Sequence, residues 1–176
     1  KLFSTEVTVP TVNLDTLYGG LSPVRKGGGH QSSSLRFVNK KGQEYIMRGM
    51  RKDALLYIQS VGFKDQYVKD EFKNTKTEEL ILDVFTGDHP YMPFIIGDLS
   101  DAVGIYHTNP KLFYVPKQNA IGRFNNEFGD ALYTIEERTA DGHGDKASFG
   151  YANEMISTHD MIDKLKKNEN HRVDET

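Results

Sequence analysis

The feature that most constrains the fold of this chain is a strand, a tight turn and a second strand in immediate succession. Residues 34–38 are extended in character, residues 39–42 (NKKG) have the composition of a turn, and residues 44–50 (EYIMRGM) form a second apolar-rich run. Because two such runs separated by a short turn pair most readily with each other, the pattern predicts an antiparallel β-hairpin.

Further strands are predicted where apolar residues alternate or cluster. We expect an edge strand over residues 7–14, which Pro10 interrupts, and a strand over residues 131–137. Two short apolar runs, at residues 94–96 and 112–115, are interpreted as buried strands.

Helices are predicted where a capping residue precedes an apolar stripe. Asp53 is placed to cap a helix that follows it, and Thr75 or Thr77 to open a second one over residues 77–87. We expect the apolar stripe of this second helix to pack on the sheet that contains the hairpin. The stripe consists of Leu80, Ile81, Val84 and Phe85.

Composition is compatible with one folded module. The chain has 176 residues, a net charge of −3, 37% hydrophobic residues and no cysteine, which suits a single domain with a sizeable core. The lack of a basic block argues against nucleic acid as a partner, and no apolar run has the length of a membrane helix. The predicted fold class is α+β, with a mainly antiparallel sheet and flanking helices.

The module is expected to span residues 1–176 and to be a fragment of a larger protein. It divides into a leading strand and glycine-rich loop at 1–33, a sheet with helices at 34–138, and a loop with a C-terminal helix at 139–176. Ser157 or Thr158 is predicted to cap that last helix.

A glycine-rich run just before the hairpin is a candidate phosphate-binding element. Glycine leaves backbone amides open to close approach, and neighbouring hydroxyls add further donors, so such a run can surround a phosphate. Its spacing fits neither a P-loop nor a strict GxGxxG motif, and alone it favours a flexible surface loop. The candidate residues are Gly27, Gly28, Gly29 and Ser32.

Arg48 is a lone cation in the second strand of the hairpin. An arginine in such a strand either points to solvent or pairs with an acid, since burying an unpaired charge is costly. Glu79 and Asp83 on the following helix are the acids expected to lie within salt-bridge distance. Protein kinases place a strand lysine and a helix glutamate in this order to hold nucleotide phosphates, whereas the alternative is an ordinary surface ion pair.

Two other groups of polar residues are weaker candidates. The run Asp141-Gly142-His143-Gly144-Asp145 contains metal-binding residue types, but a solvated loop tip is the favoured interpretation. His89 and His107 are expected to mark the ends of elements, and no catalytic triad is discernible.

Five longer stretches carry a family resemblance. They are VTVPTVNLDTLYGGLSPVRKGGGHQSSSLRFVNKKGQEYIMRGMRKD (7–53), HPY (89–91), IYHTNPKLFYVP (105–116), FGDALYTIEER (128–138) and NENHRVD (168–174). Together they resemble a segment of large bacterial envelope proteins, in which a calcineurin-like metallophosphoesterase domain often precedes the segment and an outer-membrane β-barrel often follows it. The resemblance implies a periplasmic or outer-membrane-associated location.

In that family the segment is similar to the N-terminal lobe of an atypical protein-kinase-like domain. The resemblance implies that Gly27 to Gly29 cover the phosphates of ATP bound with Mg, and that Arg48 is the strand cation with Glu79 or Asp83 as its partner. The strand that contains Glu136 would face the adenine ring. Arginine in place of the usual lysine, and the spacing of the glycines, depart from the kinase pattern.

The resemblance also implies that the catalytic residues belong to a downstream lobe of the same polypeptide, which is therefore the expected partner. The chain alone would be the inactive, nucleotide-facing half of a kinase-like domain, from a parent that is a phosphotransferase, a metallophosphoesterase or both. The alternative is a non-catalytic spacer or protein-interaction module between an enzyme domain and an outer-membrane barrel.

Overall fold

The computed structural model describes residues 4–28, 30–139, 144 and 146–172. Within these residues, five strands and five α-helices form an α+β structure, as predicted. The strands are β1 (Leu21–Lys26), β2 (Ser34–Asn39), β3 (Glu44–Gly49), β4 (Lys111–Val115) and β5 (Ala131–Glu137). The α-helices are α1 (Ala54–Tyr57), α2 (Lys76–Phe85), α3 (Met92–Ala102), α4 (Asn125–Phe128) and α5 (Thr158–Lys167).

The strands form a single sheet in the order β1-β2-β3-β5-β4, and every neighbouring pair is antiparallel. The predicted hairpin is confirmed, with Ser34 opposite Arg48 and Val38 opposite Glu44. Its turn is organised by Asn39, whose side-chain oxygen accepts hydrogen bonds from the amides of Lys41 and Gln43. An Asn side chain stabilises turns in this way because it competes with regular backbone pairing.

The first strand of the sheet was not predicted. Residues 21–26, within the region interpreted as leading strand and loop, pair with β2 and shift register between Pro23 and Arg25. An edge strand tolerates proline because the missing amide can face away from the sheet. The strand expected over residues 7–14 is instead a segment without strand structure, which meets β4 through one parallel bridge between Thr11 and Tyr114.

The strand predicted at residues 94–96 was wrong, since these residues lie in α3. A short apolar run does not distinguish a strand from a helix, and Pro93 in the first turn is fully compatible with a helix start. Ile95 and Ile96 remain about half exposed, so this run is not a buried element.

The hydrophobic core lies on one face of the sheet. The N-terminal segment and the chain between β4 and β5 cover this face, while the side chains on alternate strand positions point the other way. The fully buried core residues include Leu14, Leu35, Phe37, Met47, Val115, Ile121, Phe128 and Ile135. The opposite face of the sheet is therefore available for polar and charged side chains.

The predicted helix caps are confirmed. The Asp53 carboxylate accepts a hydrogen bond from the Leu56 amide at 2.8 Å, the Thr75 hydroxyl accepts one from the Glu78 amide at 3.3 Å, and Ser157 caps α5. Each cap satisfies an amide that has no partner within its helix.

The predicted packing of the second helix on the sheet was wrong. α2 packs on α1, where the rings of Tyr57 and Phe85 meet edge to face with centroids 5.2 Å apart. Leu80 and Val84 are 65% and 66% exposed, so only part of the predicted apolar stripe is buried.

Candidate functional site

The face of the sheet opposite the core concentrates charged side chains. Because side chains alternate along a strand, the neighbours of the core residues on β1, β2, β3 and β5 all project to this open face. Its charged residues are Arg25, Arg36, Glu44, Arg48, Glu136 and Arg138.

The glycine-rich loop connects β1 to β2 at one end of this sheet. The Gly27 amide donates to the Ser34 carbonyl at 2.8 Å, which continues the β1–β2 pairing into the loop. A Cβ atom at Gly27 would clash with the Ser34 hydroxyl, whereas a Cβ at Gly28 would meet open space. Gly27 thus packs closely against Ser34, and Gly29 lies outside the described residues.

The second half of the loop is anchored to the region of α1. The Asp53 amide donates to the Gln31 carbonyl at 2.8 Å, and Lys52 Nζ donates to the Gln31 side chain at 3.0 Å. His30 Nδ1 lies 3.0 Å from the Ser60 hydroxyl. Ser32 is half-buried between these attachments. The loop therefore has specific contacts with the rest of the chain, unlike the unanchored surface loop that its pattern alone favoured.

Arg48 pairs with Glu136, and the predicted salt bridge to Glu79 or Asp83 was wrong. Arg48 Nε lies 3.4 Å from Glu136 Oε1, and the arginine side chain is half exposed. Arg48 is opposite Thr134 in the β3–β5 pair, so Glu136 is its diagonal neighbour on the same face. The two predicted acids are exposed on α2, which packs on α1 and not on the sheet.

Glu136 is held from a second side as well. Its Oε2 accepts a hydrogen bond from the Thr108 hydroxyl at 2.7 Å, so the carboxylate bridges Arg48 and the chain that precedes β4. Of the predicted candidates, the structure thus brings Arg48 and Glu136 together, and places Gly27 and Gly28 at the same end of the sheet as Arg48.

His107 lies between α3 and β4, in accordance with its prediction as a residue at the end of an element. Its Nε2 lies 3.0 Å from Asp101 Oδ1, and its Nδ1 lies 2.9 Å from the Thr108 carbonyl oxygen. Both partners are acceptors, so both ring nitrogens are placed to donate, as in the imidazolium form. These hydrogen bonds raise the pKa of His107 above its ordinary value, and the bond to Asp101 has the larger effect.

A groove on the open face was missed by sequence reasoning. It has a volume of about 740 Å³ and lies between the sheet and the start of α5. Its lining residues are Arg25, Arg36, Glu44, Arg138, Thr139, Met155, Ile156 and Ser157. The available signal was the position of Arg36 between the core residues Leu35 and Phe37, because strand alternation turns it away from the core.

The burial of Arg36 gives the groove its main electrostatic feature. Arg36 Nε is buried without a hydrogen-bond partner in the described part of the chain. This burial lowers the pKa of Arg36, and the positive charges of Arg138 and Arg25 lower it further. The groove therefore holds cations close together at a cost in free energy.

The run at residues 141–145, interpreted from sequence as a solvated loop tip, lies outside the described residues except for Gly144. Within the described ranges, no cluster of His, Asp and Glu is suited to hold a metal ion. Among the same residues, no helix combines the length and apolar character needed to span a membrane.

The fold and the open face define an α+β protein with a five-stranded antiparallel sheet, counted over the described residues. Comparisons with protein-family models, with curated proteins and with solved structures return no match for this chain.

Proposed function

We propose that this chain is the nucleotide-facing half of a kinase-like domain, and that it binds phosphate groups but transfers none by itself. The observation that carries the proposal is the pairing of Ser34 with Arg48. Ser34 is the residue at which the glycine-rich loop enters β2, so the loop amides and the strand cation occur at one end of one sheet. A glycine-rich loop above a strand cation is the arrangement by which kinases hold nucleotide phosphates.

The charge on Arg48 is accessible to a ligand. Its side chain is half exposed, and its contact with Glu136 is made through Nε. Arginine donates to phosphate oxygens through a planar fork, so it binds two oxygens of one phosphate where lysine presents a point charge. A bound phosphate would compete with Glu136 for this fork.

A complete phosphoryl-transfer site also needs a metal-binding acid and a residue that orients the nucleophile. We assign these groups to a downstream lobe of the same polypeptide, with ATP and Mg as ligands of the two lobes together. The envelope location and a parent with phosphotransferase or metallophosphoesterase activity are parts of the same proposal, and rest on the family resemblance alone.

Calorimetric titration with Mg-ATP tests the proposal on three proteins. These are the 176-residue chain, a longer polypeptide that continues beyond Thr176, and the longer polypeptide with Arg48→Ala. We expect weak or no binding by the first, clear binding by the second, and a loss of about tenfold or more in affinity for the third. Lys41→Ala is the matched control, because this exposed cation lies at the β2–β3 turn away from the loop.

Two results would count against the proposal. Turnover or tight binding by the chain alone would contradict the half-site assignment. Unchanged affinity in the Arg48→Ala protein would show that the strand cation does not hold the nucleotide.

A spacer or protein-interaction module remains the second candidate, and one observation favours it. α2 and α3 expose apolar side chains in a way that a partner surface would bury. These side chains are Leu80, Val84, Ile95, Ile96, Leu99 and Val103. Absence of nucleotide binding by the longer polypeptide, with its fold intact, would favour this candidate.

A further inference from the structure

The groove lined by Arg25, Arg36 and Arg138, called the arginine groove below, has more basic than acidic side chains among its described lining residues. Arg138 forms an ion pair with Glu44. Among the described residues, the salt bridges include neither Arg25 nor Arg36. With three guanidinium groups and one carboxylate, the groove has a net charge of about +2 at neutral pH.

Arg36 is the centre of this charge. It is flanked across the β1–β2 pair by Arg25, and Arg138 lies near the other end of the groove. Arg36 Nε is fully covered yet has no acceptor among the described residues. A buried donor without an acceptor is costly, because it has lost its hydrogen bond to water and gained none in return. An anion in the groove would offset the repulsion among the arginines, whose positive charges lower the pKa of Arg36.

The opposite wall of the groove has a different character. Met155 and Ile156 supply apolar surface, and Ser157 is the N-cap of α5. The helix begins at this wall, and the Asp160 carboxylate in its first turn accepts from the Ser157 hydroxyl and offsets the positive end of the dipole. A volume of about 740 Å³ also exceeds what a phosphate group alone requires, and lies within the usual range for sites that bind small molecules.

We propose that the arginine groove binds a phosphate monoester of a small molecule. The dianionic phosphate lies between Arg25 and Arg36, and the apolar part of the ligand lies against Met155 and Ile156. A phosphate monoester matches the net charge of the groove and presents several acceptor oxygens to the guanidinium groups. Arg138 and Glu44 form an ion pair at the end of the groove away from the phosphate.

This site is separate from the one in the proposed function. The glycine-rich loop and Arg48 lie at the end of the sheet where β2 begins, whereas Glu44 and Arg138 lie at the end where β3 begins. Arg48 is paired with Glu136 and does not line the groove. Arg36 is a diagonal neighbour of Arg48 on the same face, so the two sites are distinguished by the side chains that hold the ligand, Arg48 in one and Arg25 with Arg36 in the other.

Binding of 1-naphthyl phosphate, followed by calorimetry and by backbone amide NMR shifts, tests the inference on the 176-residue chain. Inorganic phosphate probes the contribution of the dianion alone, and 1-naphthol that of the apolar body alone. We expect saturable binding of the ester, weaker binding of inorganic phosphate and none of naphthol. Shifts should concentrate at residues 36, 138 and 156.

Four variants complete the experiment. Arg36→Met keeps the apolar stem of the side chain and removes its charge, and Arg25→Ala alters an exposed position on the edge strand. Each should weaken binding of the ester by about tenfold or more. Lys41→Ala should leave binding unchanged, and Arg48→Ala shows whether the ester binds at the glycine-rich loop instead.

The inference is overturned if the ester fails to saturate, if naphthol binds as tightly as the ester, or if folded Arg36→Met and Arg25→Ala proteins bind like the unaltered chain. Equal losses in the Arg48→Ala protein would place the phosphate at the glycine-rich loop, and would reject the arginine groove while supporting the proposed function.

Discussion

Gly27 shows how a single residue can be required by packing and not by backbone conformation. A methyl group at this position would collide with the Ser34 hydroxyl, which is buried and has no hydrogen-bond partner in the described part of the chain. Gly28, its neighbour, faces open space. The first glycine of the run therefore has a structural role whatever the loop binds.

We expect Gly27→Ala to lower the free energy of unfolding by about 1–3 kcal/mol, the usual cost of inserting a methyl group into a packed site. Urea denaturation measures the change. Gly28→Ala is the matched control and should differ from the unaltered chain by less than about 0.5 kcal/mol. Combining Gly27→Ala with Ser34→Ala should recover part of the loss. Full stability in the Gly27→Ala protein would contradict the close approach to Ser34.

His107 provides a pH-dependent contact between α3 and β4. The Asp101 carboxylate and the Thr108 carbonyl raise its pKa above the ordinary value of 6.5. Since the folded-state pKa is the higher one, the stabilisation is fully present below pH 6.5 and is lost as the pH rises through the folded-state pKa. The contact thus stabilises the folded chain under mildly acidic conditions.

We expect Asp101→Asn to move the pKa of His107 down towards its ordinary value, because the strongest contributor to the shift is removed. An NMR titration of the ring protons measures the pKa, with His107→Gln used to assign the signals of His107. The same variant should show a flatter dependence of stability on pH across the titration of His107. An unchanged pKa in the Asp101→Asn protein would exclude the contact.

At the scale of the element, α2 shows that an apolar stripe predicts a helix more securely than it predicts a packing partner. The caps and the period of the stripe are local properties, and both are present. The surface that the helix meets depends on the path of residues 58–75, which local pattern does not determine. Phe85 reaches Tyr57 on α1, while Leu80 and Val84 remain exposed.

Because α2 packs on α1, we expect different losses of stability when Phe85 and Leu80, two residues of the same apolar stripe, are replaced. Phe85→Ala should cost about 3 kcal/mol, as expected for truncation of a buried aromatic ring. Leu80→Gln should change stability by less than about 0.5 kcal/mol, because its side chain is exposed. Chemical denaturation of the two variants measures both values. A large loss for Leu80→Gln would indicate packing on the sheet after all.

At the scale of the whole molecule, a group of buried residues around α1 and α2 lies outside the main core. The main core covers one face of the sheet, and it does not include the buried residues around α1 and α2. That second group comprises Ala54, Ile58, Val68 and Phe85. Since the smaller group buries less apolar surface, its share of the stabilising free energy is smaller.

We expect hydrogen exchange to reflect this division. Amides of β2, β3 and β5, such as those of Phe37, Met47 and Ile135, should exchange only by global unfolding. Amides of α2 should exchange faster through local opening, and the difference should disappear in denaturant concentrations near the unfolding midpoint. Equal protection in α2 and in the central strands would show that the two groups unfold as one unit.

The sequence by itself determined the features that depend on near neighbours in the chain. The β2–β3 hairpin, the strands at β4 and β5, and the caps at Asp53, Thr75 and Ser157 were all predicted. Each of these features depends on a turn, on a capping hydrogen bond or on alternating apolar and polar residues within a short segment. Such local features do not depend on where the segment lies in the fold.

Only the tertiary structure decided the pairings between distant residues. The sequence left more than one acid as a possible partner of Arg48, and the β3–β5 register places Glu136 beside it. The β2–β3 and β3–β5 registers together aligned Arg36 and Arg138 on one face, which created a groove that no local motif encodes. The strand at residues 21–26 likewise exists because β2 offers an edge to pair with. Side chains far apart in the chain come together through backbone pairing, and their charges interact only after that pairing forms.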